Sequence, residues 1–331
     1  MIRITLDDVA KQANVSTATV SRVITNSPLV SEKTKKKVQK IINELNYIPN
    51  STAQNLTNNS TRIIGVVLNS EDIDPLSNNF FSEILSSISE YLLKNNKYYT
   101  LYIHSNVQKE EEGNIKALVG SRRVDGLIFL RAYKDESLLE YLDEIKFPFA
   151  IIGTPNKADK YIWVDNDNIN TTYEVTKDLI KNEKKNICFL GGPRNLKVTN
   201  FRYLGYKRAL TEFKISKEYI LESTFSMDKA YELIKEFLKK NKMIDAIVAT
   251  DDIFAIAAIN ACKSLNMRDV EVTGFNNTYI RKFSNYKFKT VEINVKKLGE
   301  VACELLIKKI ENKKLKSNYA IIPAYIIKED R

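Results

Sequence analysis

The chain has 331 residues, 44% of them hydrophobic and 10% aromatic, so it can bury sizeable cores and should divide into two or three domains. Its longest apolar stretches fall short of the roughly 20 residues that a membrane-spanning helix needs, and its start lacks the features of a secretory signal, so a cytoplasmic location is expected. The cysteines are Cys188, Cys262 and Cys303, and none forms a C-x-x-C pair. This spacing argues against a disulfide framework or a zinc site and predicts buried thiols.

The net charge of +10 is unevenly distributed. Residues 1–60 carry eight Lys and Arg against four Asp and Glu, while the rest of the chain carries 43 against 37. Per residue, the first segment is about three times as basic. This distribution is typical of a nucleic-acid-facing module on a near-neutral body, although a lysine-rich composition throughout would produce a similar excess.

Two short helices are predicted first. Thr5 and Asp8 form a capping-box start, and the helix after Thr5 has an apolar stripe at i, i+3, i+4 and i+7. The residues of this stripe are Leu6, Val9, Ala10 and Ala13. Asn14 tolerates the left-handed conformation of a tight turn, and Ser16 offers the next N-cap. Two short helices joined so closely form a helix-turn-helix.

The second helix has two different faces, and a third helix follows. Val20, Val23 and Ile24 form the apolar side of the second helix. Its other side presents small or polar groups that suit the floor of a DNA groove, namely Thr17, Ala18, Ser21 and Arg22. The third helix opens at Ser31 and contains the lysine run EKTKKKVQK. Two interpretations of that run stay open: a solvated face, or contact with DNA phosphates.

From Ile63 onward, short apolar runs alternate with amphipathic ones. The predicted strands include IIGVVLN, DGLIFL, ICFLGG and DAIVAT, and the predicted helices include FFSEILSSISEYLLKNN and FRYLGYKRALTEF. With a break near residues 153–164, this alternation predicts two doubly wound parallel sheets, each covered by helices on both faces. Ligands of such sheets bind beyond the carboxyl ends of the strands, so a pocket is expected in the cleft between them.

Enzymatic motifs are missing from this α/β part of the sequence. It has one histidine, His104, and no G-x-G-x-x-G, G-x-x-x-x-G-K-[ST] or G-x-S-x-G. The adjacent Asp251 and Asp252 could serve in acid/base catalysis. Carboxylates at a strand-to-helix turn are equally suited to capping a helix or accepting hydrogen bonds from ligand hydroxyls. We therefore expect no enzymatic activity and no cofactor.

The stretch TLDDVAKQANVSTATVSRVI, followed by VSEKTKKKVQKIINELNYIPN, resembles the DNA-binding headpiece of the LacI/GalR family of transcriptional regulators. In that family the second helix enters the major groove. The resemblance implies base contacts by Thr17, Ala18 and Arg22, and a bidentate arginine–guanine contact is worth about 1–3 kcal/mol of discrimination. The other DNA-binding residues expected in the headpiece are Thr5, Ser16, Thr19, Ser21 and Ser31.

Residues 48–62 read IPNSTAQNLTNNSTR, and their P-N-x-x-A-x-x-L spacing is similar to the hinge of the same family. A plain linker is one interpretation. The other is a short helix, capped by Asn50 or Ser51, that forms only with its dimer mate and DNA. In that case Leu56 would wedge between base pairs in the minor groove. The residues expected to contact DNA in this segment are Asn50, Ala53, Gln54 and Leu56.

The resemblance extends over the rest of the chain through N-x-F-F at 78–81, VDGLIFL at 124–130, VDNDN at 164–168, ATDD at 249–252 and V-T-G-F at 272–275. Effector domains of this family are similar to periplasmic sugar-binding proteins. The effector-binding residues that the resemblance implies are Phe80, Phe81, Asp167, Arg202, Phe225, Asp251 and Asn276. Many relatives have Asp at the position of Asn276 and Asn at the position of Asp251, so the sequence departs from the family pattern at both.

The expected organisation is an all-α helix-turn-helix headpiece, a hinge and a periplasmic-binding-protein-like α/β effector and dimerisation domain. Their bounds are 1–48, 49–61 and 62–331, with an N-subdomain of about 62–160 plus 294–320 and a C-subdomain of about 161–293 plus 321–331. The chain ends directly after its closing strand without leucine heptads, so a dimer rather than a tetramer is expected.

The function expected from these features is repression at a near-palindromic operator, modulated by a carbohydrate and without a membrane partner. Several segments look most like the maltose-operon repressors of low-GC Gram-positive bacteria, which implies maltose or maltodextrin. Three alternatives remain: control by a phosphorylated carrier protein, a purine-type corepressor, and a plain sugar-binding or sugar-processing protein.

Overall fold

The computed structural model divides the chain into two compact units, the headpiece (residues 1–62) and the body (residues 63–331). The residues whose structure is described are 4–25, 27–47, 60–68, 79–105, 107–132 and 135–327. None of the helices in these ranges is long and apolar enough to cross a membrane.

The described residues of the headpiece form three helices that begin where their caps predict. They are α1 (Leu6–Ala13), α2 (Thr17–Ile24) and α3 (Glu32–Glu44). The capping box is present, since Thr5 N donates to Asp8 Oδ2 at 2.8 Å and Asp8 N donates to Thr5 Oγ1 at 3.3 Å. Asn14 ends α1 at a φ of 49°, and Ser16 and Ser31 cap α2 and α3. The predicted helix-turn-helix is confirmed.

One small core holds the headpiece together. Its fully buried side chains are Val9, Ala13, Val20 and Val38, contributed by all three helices. Because Val20 and Val23 turn inward, the opposite side of α2 is left on the surface, with Thr17, Ala18 and Arg22 exposed.

The first sheet of the body has six strands. They are β1 (Ile63–Val67), β2 (Tyr99–Ile103), β3 (Gly126–Phe129), β4 (Phe149–Ile152), β5 (Trp163–Asn166) and β11 (Tyr319–Ile322). All pair in parallel in the order β2-β1-β3-β4-β5-β11. Strands β3, β4 and β5 are buried along their whole length, as inner strands of a parallel sheet should be.

Helices cover both faces of this sheet. One face packs against α4 (Asn79–Tyr91) and α12 (Val295–Ile310), and the other against α5 (Gln108–Gly120) and α6 (Ser137–Glu144). Helix α4 ends in a π-helical turn, Leu92–Asn96. The first sheet with these four helices is the first subdomain.

The second sheet has four parallel strands, β6 (Ile187–Gly191), β7 (Tyr219–Glu222), β8 (Ala246–Ala249) and β9 (Glu271–Thr273), in the order β7-β6-β8-β9. Helices α7 (Asn168–Lys181) and α8 (Lys197–Glu212) cover one face, and α9 (Met227–Lys240) and α10 (Asp252–Ser264) the other. The short α11 (Tyr279–Phe283) and the antiparallel pair β10 (Thr290–Glu292) and β12 (Tyr325–Ile327) complete the second subdomain. The two predicted doubly wound parallel sheets are confirmed.

The predicted subdomain boundaries need a correction. Residues 161–166 were assigned to the C-subdomain, but β5 pairs with β4 and β11 in the first sheet. The side chains of Trp163 and Tyr319 stack across the β5–β11 pair with ring centroids 4.9 Å apart. Residues 321 and 322 also belong to this sheet, because β11 runs to Ile322. Pairing between strands that are distant in sequence decides these boundaries, and the local sequence does not indicate which strands pair.

The three cysteines are buried and unpaired, as predicted. Cys188 lies in β6, Cys262 in α10 and Cys303 in α12. Burial raises the pKa of each thiol, to about 11 for Cys262 and further for the other two. They are therefore packing groups rather than reactive ones.

Gly205 allows α7 and α8 to approach each other. A Cβ at this position would overlap the carbonyl oxygen of Ile169 and lie 2.9 Å from Tyr173 N. A Cβ at the exposed Gly113 in α5 would meet nothing within 4 Å.

We expect Gly205→Ala to lower the free energy of unfolding of the body by about 1–3 kcal/mol, because backbone atoms cannot move aside cheaply. The matched control Gly113→Ala should raise it by up to about 1 kcal/mol through helix propensity. Urea denaturation monitored by circular dichroism measures both, and equal stabilities would contradict the proposed close approach.

Candidate functional site

The DNA-facing candidates of α2 are accessible. Thr17, Ala18 and Arg22 are exposed, and no acidic residue lies in the first turn of α2. By contrast, α1 has Asp7 and Asp8 in its first turn. No acidic side chain in the first turn of α2 therefore offsets the partial positive charge at its N-terminus, which suits a phosphate group.

Two of the serines expected to contact DNA are also helix caps. Ser16 Oγ accepts a hydrogen bond from Thr19 N at 3.2 Å, and Ser31 Oγ accepts one from Thr34 N at 3.3 Å. Capping holds Ser16 and Ser31 at two helix N-termini, where an anion is favoured. Ser21 is half-buried.

The lysine run of α3 is partly paired. Lys35 Nζ lies 2.9 Å from a Glu32 carboxylate oxygen, and Lys40 Nζ lies 3.7 Å from one of Glu44. Within the described ranges, Lys33, Lys36 and Lys37 form no ion pair. The predicted hinge contacts Asn50, Ala53, Gln54 and Leu56 lie outside the described residues.

The body contains a cavity of about 190 Å³ at the carboxyl ends of both sheets. It is lined by residues that follow β3, β4 and β5 of the first sheet and β6, β7, β8 and β9 of the second. This is the location that the parallel topology predicts. Six of the seven predicted effector-binding residues line it: Phe80, Phe81, Arg202, Phe225, Asp251 and Asn276.

Arg202, on α8, is the most connected of these residues. Although buried, it donates from Nε to Asn168 Oδ1 at 2.9 Å, from Nη1 to the Thr250 carbonyl at 2.6 Å and from Nη2 to Asn276 Oδ1 at 3.4 Å. Its guanidinium carbon lies 3.7 Å from the centre of the Phe275 ring. Burial lowers the pKa of Arg202 to about 10, which still leaves it charged at neutral pH.

Asp251 and Asn276 form one unit. Asn276 Nδ2 donates to Asp251 Oδ2 at 2.8 Å, and Ile253 N donates to Asp251 Oδ1 at 2.9 Å. This hydrogen bond therefore holds one carboxylate and one amide side by side in the cavity lining. Burial, and secondarily the charge of Asp252, raise the pKa of Asp251 to about 7.

Asp167, the seventh predicted effector-binding residue, does not line the cavity. It is exposed, and its Oδ1 accepts a hydrogen bond from Asn170 N as the N-cap of α7. Asp165, two residues earlier at the end of β5, lines the cavity instead. It accepts from Thr154 N and Thr154 Oγ1 at 3.0 and 2.8 Å, and burial raises its pKa.

Sequence reasoning also missed other polar residues of the cavity, among them Asn168, Thr154 and Lys197. Asn168 Nδ2 donates to Asp165 Oδ1 at 3.0 Å, which ties that carboxylate to the Arg202 network. Lys197 Nζ, on α8 of the second subdomain, donates to the carbonyl of Thr154 in the first at 3.2 Å. Burial lowers the pKa of Lys197. No local motif marks Lys197, since its importance depends on a contact across the cleft.

Aromatic side chains form the apolar part of the lining. The rings of Phe80 and Phe81 meet edge to face with centroids 5.5 Å apart. Phe225 stacks on Phe254 with centroids 5.2 Å apart. A Cβ at Gly192 would lie 2.7 Å from Phe225 Cζ, so the G-G-P turn after β6 makes room for this ring.

Two other chemically notable residues have structural roles. Asp252 accepts hydrogen bonds from Thr278 N, Thr278 Oγ1 and Thr290 Oγ1 at 2.7, 3.0 and 2.6 Å. His104 Nδ1 lies 3.0 Å from the carbonyl oxygen of Leu68. Within the described part of the chain, no group of three or more His, Cys, Asp or Glu side chains could hold a metal ion.

The cavity combines fixed cationic donors, carboxylate and amide acceptors, and apolar ring faces. This combination suits a small hydroxyl-rich ligand with C–H surfaces, because hydroxyls both donate and accept. Together with a helix-turn-helix whose groove-facing side is exposed, it defines a ligand-binding DNA-binding regulator.

Comparisons with known proteins support this assignment to a class of DNA-binding regulators. Residues 5–50 match the bacterial regulatory proteins of the lacI family, and residues 61–330 match the periplasmic binding proteins and sugar binding domain of the LacI family. The chain is 35% identical over 317 residues to the HTH-type transcriptional regulator MalR of Streptococcus pneumoniae, covering 94% of each. The Lac repressor dimer bound to operator and the anti-inducer ONPF superposes with a TM-score of 0.86 at 23% identity, covering 98% of both chains. The chain belongs to the LacI family of transcriptional regulators.

A second relative, the HTH-type transcriptional regulator RegA of Clostridium saccharobutylicum, is 33% identical over 323 residues and covers 96% of each chain. The predicted family, fold class and regulatory function are confirmed, as is the expectation that the chain is not an enzyme. The resemblance to maltose-operon regulators is confirmed by the MalR match.

The raised pKa of Asp251 predicts a pH dependence of stability. The pKa of Asp251 is raised from 3.8 in the unfolded chain to about 7 in the folded protein, so the folded state holds the proton more tightly between these values. The free energy of unfolding should therefore fall as pH rises from about 4 to about 7 by on the order of a few kcal/mol. In Asp251→Asn this contribution is absent.

The measurement is urea denaturation of both proteins at about pH 5 and about pH 8. The stability of Asp251→Asn relative to the parent should be higher at the higher pH. A difference between the two proteins that stays constant across this range would contradict the assignment.

Proposed function

We propose that the chain is a homodimeric repressor whose operator affinity is lowered by a neutral sugar of the maltose or maltodextrin class. The observation that carries this proposal is the cavity, where the Arg202 network and the Asp251 carboxylate lie beside an aromatic wall. The family of the chain and the maltose-regulator name of its relative MalR support the choice of sugar.

In this proposal the polar end of the cavity orients the ligand. Arg202 uses one N–H each from Nε, Nη1 and Nη2 within the protein, which leaves two of its five N–H groups to donate to sugar oxygens. Asp251 and Asp165 accept from sugar hydroxyls. The faces of Phe80, Phe81 and Phe225 receive the C–H surfaces of the pyranose rings.

On the DNA side, Thr17, Ala18 and Arg22 read base edges in the major groove, and the N-termini of α2 and α3 meet phosphates. The exposed side chains of α2 and its unneutralised N-terminus support this assignment. Leu56, with Asn50, Ala53 and Gln54, remains proposed as the minor-groove contact on the strength of the family resemblance.

A homodimer would place two headpieces on the half-sites of a near-palindromic operator. Support for a partner surface comes from the edge strand β2, which exposes Tyr99, Leu101 and Tyr102 by 65%, 37% and 49%. An exposed apolar sheet edge favours association. A regulator of this kind acts in the cytoplasm, where its operator is.

Maltose or maltotriose should lower the operator affinity of the full-length protein by about tenfold, within the usual range of allosteric coupling. The physical reason is that the sugar binds the weak-DNA conformer better than the strong one. Fluorescence anisotropy of a labelled operator duplex, at fixed salt, measures this change.

The matched control is Arg202→Met, which removes the guanidinium and keeps much of the side-chain length. Its operator affinity should no longer respond to the sugar, while circular dichroism establishes that the variant is folded. An unchanged operator affinity in the parent protein with maltose and maltodextrins would reject the maltose assignment. Tighter operator binding with a phosphorylated carrier protein or a purine would favour those alternatives.

Arg22→Ala should weaken binding to the operator by about 1–3 kcal/mol and reduce discrimination against duplexes with altered guanines. Lys36→Ala removes a charge from the same headpiece away from α2 and should weaken binding to all duplexes about equally. Anisotropy titrations against operator and altered duplexes separate the two effects. An Arg22→Ala variant that keeps its discrimination would contradict the role of Arg22 in base recognition.

A further inference from the structure

Three segments of the described body connect the two subdomains. Residues 166–168 lead from β5 into α7, residues 293–294 lead from β10 into α12, and residues 323–324 lead from β11 into β12. Any change in the angle between the subdomains must be absorbed at these crossovers, because the sheets on either side are packed cores.

One side chain joins all three crossovers. Asn166, at the end of β5, is buried, and its Nδ2 donates to the Ile293 carbonyl at 3.0 Å and to the Ile322 carbonyl at 2.9 Å. These two carbonyls lie at the entrances of the other two crossovers. The two hydrogens of a single amide therefore hold the second and third crossovers against the first.

The orientation of this amide follows from its partners. Both partner atoms are carbonyl oxygens, which accept only, so the nitrogen of the Asn166 amide must face them. Asn166 is also a lining residue of the cavity. Among the described residues no donor contacts its Oδ1, which leaves that oxygen able to accept from a ligand hydroxyl.

We propose that Asn166 is the positioning residue that converts ligand occupancy into a change of subdomain angle, a role that rests on the proposed function of the cavity. A ligand hydroxyl that donates to Oδ1 polarises and orients the same amide whose hydrogens hold the crossovers. Occupancy of the cavity and the geometry of the three crossovers are thereby joined through one rigid planar group.

A matched control exists in the same fold. Asn318 Nδ2 also donates to two backbone carbonyls, those of Asp159 and Tyr161, at 2.8 and 3.1 Å. Both of these partners lie in the segment between β4 and β5, and Asn318 directly precedes β11, so the pair of bonds stays next to one sheet and does not join the crossovers. Asn318→Ser thus removes the same number and kind of hydrogen bonds as Asn166→Ser.

The experiment compares parent, Asn166→Ser and Asn318→Ser as full-length proteins. The ratio of operator dissociation constants with and without saturating maltose should fall by about fivefold in Asn166→Ser and stay at the parent value in Asn318→Ser. The maltose dissociation constant, from isothermal titration calorimetry, should rise in Asn166→Ser because the Oδ1 acceptor is lost, so each protein is compared at its own saturating maltose concentration. If Asn166→Ser does not fold, the isosteric Asn166→Asp takes its place, since its oxygens cannot donate to the two carbonyls.

A ligand-free measurement keeps this inference separate from the choice of sugar. Amide hydrogen exchange should become faster at residues 166–168, 293–294 and Ala324 in Asn166→Ser, and Asn318→Ser should show no such change there. If maltose fails to act on the parent protein, the proposed function fails. The exchange result still decides whether Asn166 holds the three crossovers together. A parent-like operator ratio in Asn166→Ser, or crossover exchange equal to that of Asn318→Ser, would overturn the proposal.

Discussion

The burial of the Arg202 guanidinium is the constraint on which the ligand cavity depends. A buried charge is tolerated only when hydrogen bonds and opposite charges surround it. Arg202 obtains acceptors from the start of α7, the end of β8 and the segment after β9, through Asn168, the Thr250 carbonyl and Asn276. Hydrogen bonding of this one side chain thus brings these separate segments together. Their remaining polar atoms face the same cavity.

The same constraint explains why the carboxylates of the cavity are held so firmly. Asp251 and Asp165 are buried next to the guanidinium, and each accepts hydrogen bonds from backbone and side-chain groups. Burial still favours their protonated forms, as the raised pKa values of both show. A ligand that donates hydroxyl hydrogens to these carboxylates would take over part of the solvation they lack, which is a physical reason for the site to prefer sugars.

The DNA-binding unit and the ligand cavity depend on contacts over different distances along the sequence. The headpiece is specified by contacts within a few residues, such as the capping box of Thr5 and Asp8 and the cap of Ser16 on Thr19. The cavity is specified by contacts between segments far apart in the chain, such as Lys197 with Thr154 and Asn276 with Asp251. Motions of the subdomains can therefore alter the cavity without disturbing the internal packing of a three-helix unit.

The sequence by itself determined the three headpiece helices, the alternation of strands and helices and the family, because caps, turn residues and apolar spacing act locally. Six of the cavity residues were also implied by the family resemblance. The tertiary structure alone decided that Asp165 rather than Asp167 faces the cavity, that β5 joins the first sheet and that Lys197 reaches across the cleft. Each of these depends on which distant segment a residue meets, and local sequence carries no signal for that.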